Sequence, residues 1–181
     1  MITIAFTGHR PNKLGGYDWN NPKNQRIMLQ MSKEIKDILD KNIDNQVRFI
    51  TGGALGIDQM AFDICNKLKN KYNGIITEIA IPFKNQASKW YDTNDIQRYN
   101  KQLKQADIIT YVDIITKYKI PRIKEGIYNP IKMQKRNEYM VDNCDLLIAV
   151  YDGISKGGTR NCINYANKLN KKIIYINPNK C

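Results

Sequence analysis

The chain of 181 residues is long enough to bury a core without disulfides or metal. No apolar run approaches the roughly 18 residues of a membrane span, and Met1 leads straight into a strand-like run instead of a leader, so the expected place is the cytoplasm, with no membrane partner. A net charge of +12 suits an anionic partner, yet the lysines spread over every predicted helix as solvated charges do. Binding of single-stranded nucleic acid would want basic and aromatic residues clustered along a groove, which argues against that partner. Cys65, Cys144, Cys162 and Cys181 are scattered, with no C-x-x-C pair, and His9 is the single histidine. A metal site needs clustered ligands, so no metal is expected. Cys65 and Cys144 fall on predicted core faces, as small hydrophobes do.

In chain order, strands are predicted at 2–7 (ITIAFT), 47–51 (VRFIT), 75–81 (IITEIAI), 107–112 (DIITYV), 145–151 (DLLIAVY) and 172–177 (KIIYIN). Several are near-continuous apolar strings, the mark of strands buried on both faces. Between them run segments of helical period. Ile27, Met31, Ile35, Ile38 and Leu39 form one stripe, and Met60, Ile64 and Leu68 a second. Further helices are predicted after Gln86, over 131–143 and from Thr159 onward. Strand and helix in alternation specify a single α/β domain, a mostly parallel sheet of about six strands with helices on both faces. The longest irregular stretch, 113–130, is of a length that is usually functional or mobile, and it carries Tyr118, Arg122 and Tyr128, residue types suited to a base or a phosphate.

Ligands of parallel sheets bind beyond the carboxyl ends of the strands. Four strand ends therefore converge on one edge: TGHRP (7–11), TGGALGID (51–58), PFKNQ (82–86) and YDGISKGGT (151–159). Two are glycine-rich turns that open a helix, where free N–H groups and the positive end of the dipole attract phosphate. On this reading Gly52, Gly53 and Gly56 clear side chains away so that an anion lies against the backbone. Glycine also ends strands for structural reasons alone. Neither turn is a G-x-G-x-x-G fingerprint or a P-loop.

TGHRP, TGGALGIDQMAFDI, PFKNQASKWY, QKRNEYMVDNCDLLIAVYDG and GGT, in that order, resemble the YpsA-like branch of the SLOG superfamily, which joins the DNA-processing Smf/DprA proteins and the LOG phosphoribohydrolases. The resemblance runs from Thr3 to about Asn177. It implies a Rossmann-like fold binding a nucleotide or nucleotide-derived molecule, with no cofactor, and a homo-oligomer. The implied ligand wall is Thr7, Gly8, His9 and Arg10, then Gly52, Gly53, Ala54, Gly56 and Asp58. Phe83, Gln86 and Trp90 follow, then Gln134, Arg136 and Asn137, and finally Lys156, Gly157, Gly158 and Thr159.

Each of these has a chemical role and a structural alternative. Gly157, Gly158 and Thr159 offer N–H groups and a hydroxyl to phosphate, and Arg10 and Arg136 can fork onto its oxygens. Asp58 could accept from a ribose hydroxyl or answer the dipole of its own helix. Trp90, with Phe83 or Tyr91, could stack on a base or belong to the core. His9 could touch ligand or serve structure. Gln134 and Asn137, three apart on a helix, could read a base edge or cap a loop.

LOG enzymes carry P-G-G-x-G-T-x-x-E, and their glutamate serves N-glycosidic cleavage. Here Cys162 stands in its place and the proline is absent. Without that acid an oxocarbenium-like transition state lacks its stabiliser; Asp58 and Glu138 are the acids that could substitute, and nothing in the spacing pairs them. No Cys/His or Ser/His arrangement supports a nucleophile. The expectation is binding without catalytic residues, of a cyclic-nucleotide or ADP-ribose-type signal, by a sensor or a sponge that sequesters a defence signal. A LOG-like N-glycosidase is the first alternative and single-stranded DNA binding the second.

Overall fold

The computed structural model describes residues 1–181. Six strands form one all-parallel sheet: β1 (Ile2–Gly8), β2 (Val47–Thr51), β3 (Ile75–Ile81), β4 (Ile108–Tyr111), β5 (Leu146–Val150) and β6 (Lys172–Ile176), in the order β4-β3-β2-β1-β5-β6. Five α-helices connect them: α1 (Pro22–Asp40), α2 (Ile57–Leu68), α3 (Thr93–Gln105), α4 (Pro130–Asp142) and α5 (Gly158–Lys168). No helix is long and apolar enough to cross a membrane.

The sheet is buried on both sides because its strands are apolar at successive positions. Ile4 and Phe6 of β1 face the core under α1 and α2, with Phe49, Ile148, Met31 and Met60. Ala5 points the other way, joining Ile50, Leu147, Met140, Cys162 and Ala166 under α4 and α5. Cys65, Cys144 and Cys162 are all buried, and Cys162 packs against the sheet as the small hydrophobe its neighbours require.

The chain builds outward from β1 to β4, then returns to place β5 on the other side of β1. Strand order thus reverses between β1 and β5, the switch point at which open α/β sheets form a crevice.

Two segments depart from the expected pattern. The helix expected after Gln86 is a short 3-10 turn, Gln86–Lys89, followed by α3. The Asp92 side chain accepts from the Asn94 amide at 2.7 Å and starts α3 there, as an N-cap aspartate does. The long stretch 113–130 is pinned to α4. The Lys132 ammonium meets Asp113 at 2.8 Å, both side chains 3% exposed, and also donates to the Lys124 carbonyl. The Gly126 amide donates to the same Asp113 carboxylate. Tyr118 is buried with its hydroxyl on Asp142, so it is not available to a ligand, and Tyr128 lies edge-on to Phe83.

Candidate functional site

Between β1 and β5 opens a cleft of about 270 Å³. Thr7, Gly8 and Arg10 supply one wall, Ala54 and Asp58 the next, Arg136 and Asn137 come from α4, and Gly158 and Thr159 close it. A second hollow of about 250 Å³ adjoins it, lined by His9, Lys13, Lys156 and Gly157. The two share Arg10, Gly158 and Thr159, so Arg10 stands where they meet.

The two glycine turns, equivalent by sequence, have different duties. Around the first, the protein fills the space itself. A Cβ on Gly52 would sit 1.1 Å from Nη1 of Arg136, and one on Gly56 would be 2.5 Å from the His9 carbonyl oxygen. Gly56 also holds φ at +94°, where a side chain is strained. A Cβ on Gly53 would press on Ile79 and Tyr99 at 3.0 Å. The start of α2 is likewise occupied: Ile57 donates to the His9 carbonyl, and Ala54 to Oδ2 of Asp58. Beside these glycines the space on the Cβ side is taken by a guanidinium, a neighbouring loop and the side chains of Ile79 and Tyr99.

The second turn is open. Nothing lies within 4 Å of a Cβ built on Gly157, and only Asn137 Nδ2, at 4.0 Å, near one on Gly158. Helix α5 starts there with no side-chain cap and no acidic residue in its first turn. Its leading N–H groups therefore point, uncapped, toward the cleft with the positive end of the dipole behind them. Asp152 shapes the approach by accepting from the Ile154 and Ser155 amides and the Ser155 hydroxyl. Lys13 donates to the Lys156 carbonyl at 3.3 Å and brings a further cation.

Arg136 is committed. Its Nη1 meets Oδ2 of Asp58 at 3.0 Å, with side chains 7% and 9% exposed. Its Nε is buried without a partner. The freely available fork is Arg10, which is exposed at the rim. Asp58 lines the cleft, and its Oδ1 receives no hydrogen bond from the protein and can accept from a ligand hydroxyl.

The other sequence-derived candidates separate in the same way. Phe83 is 1% exposed and cannot stack on a ligand. Gln86 is buried and donates to the Gly52 carbonyl at 3.1 Å, supporting the turn from behind. Asn137 lines the cleft and donates to the Gly158 carbonyl at 3.4 Å. Gln134 is half-buried on α4 and lies outside both hollows. Trp90 stands edge-on to buried Tyr99, with ring centres 5.1 Å apart, and lines a third hollow with Tyr17, Leu55, Tyr91, Asp92 and Asp95. Sequence reading passed over Lys13, Tyr17, Asp92 and Asp95. The one local signal for the first two is the Gly15–Gly16 turn beside them, which Asn24 holds by accepting from Gly15 and donating to the carbonyls of Gly16 and Asp18.

His9 is a structural acceptor. It is buried, and its Nε2 accepts from the Asp152 amide at 3.1 Å, tying the β1 loop to the β5 loop. Burial lowers its pKa below 6.5 although Asp152 opposes the shift. Its contribution to stability is then complete above the unfolded pKa of about 6.5 and is lost as pH falls through the lower folded value, because the unfolded chain binds the proton first. As His9 is the sole histidine, melting temperature should drop on acidification from about pH 7 to about pH 5.5. A His9→Gln variant should lose that slope; an unchanged slope would show that His9 is not its source.

The family described as the YspA SLOG family (YpsA) matches residues 4–180. The chain belongs to the YpsA family of SLOG proteins. Among its relatives is a protein of Bacillus subtilis, the uncharacterized SPbeta prophage-derived protein YoqJ, 45% identical over 82% of this chain and 84% of that protein. A UPF0398 protein of Halalkalibacterium halodurans is 27% identical over 97% of this chain and 85% of its own length. The UPF0398 protein YpsA of Bacillus subtilis is 24% identical over 93% and 86%. In this YpsA-family chain, therefore, the crevice lies where strand order reverses, and its open helix start is that of α5.

Proposed function

We propose that this protein binds a nucleotide or nucleotide-derived signal, of cyclic or ADP-ribose type, in the β1/β5 crevice without turning it over. One observation carries the reading. The uncapped start of α5, with open space at Gly157 and Gly158, lies beside the free guanidinium of Arg10. This pairing suits a phosphate held by backbone N–H groups and clamped by a fork. Binding alone accomplishes something if it lowers the free concentration of a signal. The prophage origin in the name of the YoqJ relative favours such a sponge, directed at a host defence signal, over a sensor.

The chemistry at the α5 start favours holding over cleaving. Cys162 occupies the place of the LOG glutamate, and burial pushes its thiol up to about 12, so at neutral pH it is protonated and no nucleophile. Glu138 is bonded to Lys135 at 2.7 Å, and Asp58 is held by Arg136. Glu138 lines neither hollow, and Asp58 lines the cleft with its charge offset by Arg136, so neither is an uncompensated acid beside a sugar.

Overnight incubation with nucleoside monophosphates, cyclic nucleotides and ADP-ribose-type nucleotides, followed by chromatography, should release no free base. Binding should show as a raised melting temperature, since ligand at a hundred times its dissociation constant stabilises by about 2.7 kcal/mol. Free base whose release is lost in Asp58→Asn or Glu138→Gln would establish an N-glycosidase instead.

A further inference from the structure

The third hollow, of about 390 Å³, begins at Arg10 and runs away from the phosphate-sized pockets between the Tyr17 loop and the Lys89–Asp95 segment. It has the opposite character. Its aromatic side chains are Tyr17, Trp90 and Tyr91, and its acids are Asp92 and Asp95, in a chain of net charge +12. Exposed aromatic faces joined through an arginine to an anion site have the layout of a base subsite beside a phosphate subsite, because stacking serves any base.

The carboxylates add selection. The Asp95 side chain is only 6% exposed. Its Oδ1 accepts from Arg98 at 2.8 Å, its Oδ2 receives no hydrogen bond from the protein, and the residue lines the hollow. Asp92 is exposed, with Oδ1 taken by the Asn94 amide and no protein donor on Oδ2. An ionised carboxylate only accepts, so the hollow presents two unfilled acceptors to whatever stacks there.

We infer that the base end of the ligand is guanine, read by Asp95 and Asp92 through its N1–H and N2 amino donors while Trp90 and Tyr17 cover its faces. This rests on the nucleotide-binding reading above and narrows it to the cyclic type, since ADP-ribose carries adenine. Guanine places two donors side by side on one edge, with O6 next to them; Lys89 also lines the hollow, its ammonium 4.1 Å from the centre of the Tyr128 ring. Adenine offers one amino group on the corresponding edge, beside the N1 lone pair, which a carboxylate repels. Hypoxanthine keeps N1–H and lacks the amine.

Titration calorimetry with the diphosphates of guanosine, inosine, adenosine and xanthosine tests this. Guanosine diphosphate should bind about 10- to 100-fold more tightly than the inosine and adenosine compounds, as expected for a lost base-edge pair. Asp95→Asn, whose amide oxygen can still accept from Arg98, should abolish that preference and turn it toward xanthosine diphosphate, since the new amide donates to the C2 carbonyl of xanthine. Equal affinity for the guanosine and adenosine compounds, or a guanine preference unaltered in Asp95→Asn, would overturn the assignment and leave nucleotide binding standing. If none of the four diphosphates binds, the guanine assignment falls, and the melting temperature with cyclic and ADP-ribose-type nucleotides decides the nucleotide-binding reading separately.

Discussion

An Asp58→Ala variant is expected to lose about 3–5 kcal/mol of unfolding free energy, the cost of leaving a buried charge without its partner. The Arg136 guanidinium is 7% exposed and lies against the backbone of Gly52, so close that a Cβ there would overlap it. It can neither withdraw nor reach bulk water without moving the β2 turn. Gly52→Ala should therefore be damaging in the same way, by displacing Nη1 from Asp58. The double variant Asp58→Ala/Arg136→Met should recover much of the loss, because apolar replacement of both members of a buried pair is often tolerated. Urea unfolding of the three proteins decides it. A loss of under about 1 kcal/mol for Asp58→Ala would mean that the pair behaves as a surface contact.

Gly158→Val should abolish measurable phosphate-dependent binding and leave the fold intact. The position has helical backbone and no protein atom nearer to a built Cβ than 4.0 Å, so the protein itself has room for the side chain. A ligand lying on the α5 amides does not. Loss of two charge-assisted bonds of about 1.5–3 kcal/mol each would weaken binding by two to four orders of magnitude. Arg10→Ala removes one such partner and should cost about 1.5–3 kcal/mol. Affinity unchanged in Gly158→Val, with an unchanged melting temperature, would place the pocket elsewhere.

Much of the fold was legible in the sequence because its signals are local. The runs at 47–51 and 75–81 are strands over those same residues, since near-continuous β-branched strings suit a sheet covered on both faces. The stripe Ile27, Met31, Ile35, Ile38 and Leu39, read from helical spacing, is the buried face of α1. The site was less legible because its logic is not local. Gly52 looks the same in sequence whether it is vacated for a ligand or for Arg136, and only the placement of Arg136 of α4 against the turn after β2 distinguishes the two. Phe83 was a candidate to stack on a base on residue type alone, and burial removes it. The hollow around Trp90 draws Tyr17 and Asp95 from segments far apart in the chain, so no motif announces it. Lys132 and Asp113 fix the 113–130 stretch by a bond across 19 residues, which length alone cannot reveal.

The central claim is that the β1/β5 crevice holds a nucleotide and does not cut it. The most direct measurement is to purify the protein from cells, denature it, and identify the released small molecules by mass spectrometry, with Gly158→Val treated in parallel. The account predicts an intact nucleotide-derived molecule released by the parent protein and absent from the variant. A free base with a ribose product, or the same molecule released equally by Gly158→Val, would contradict it.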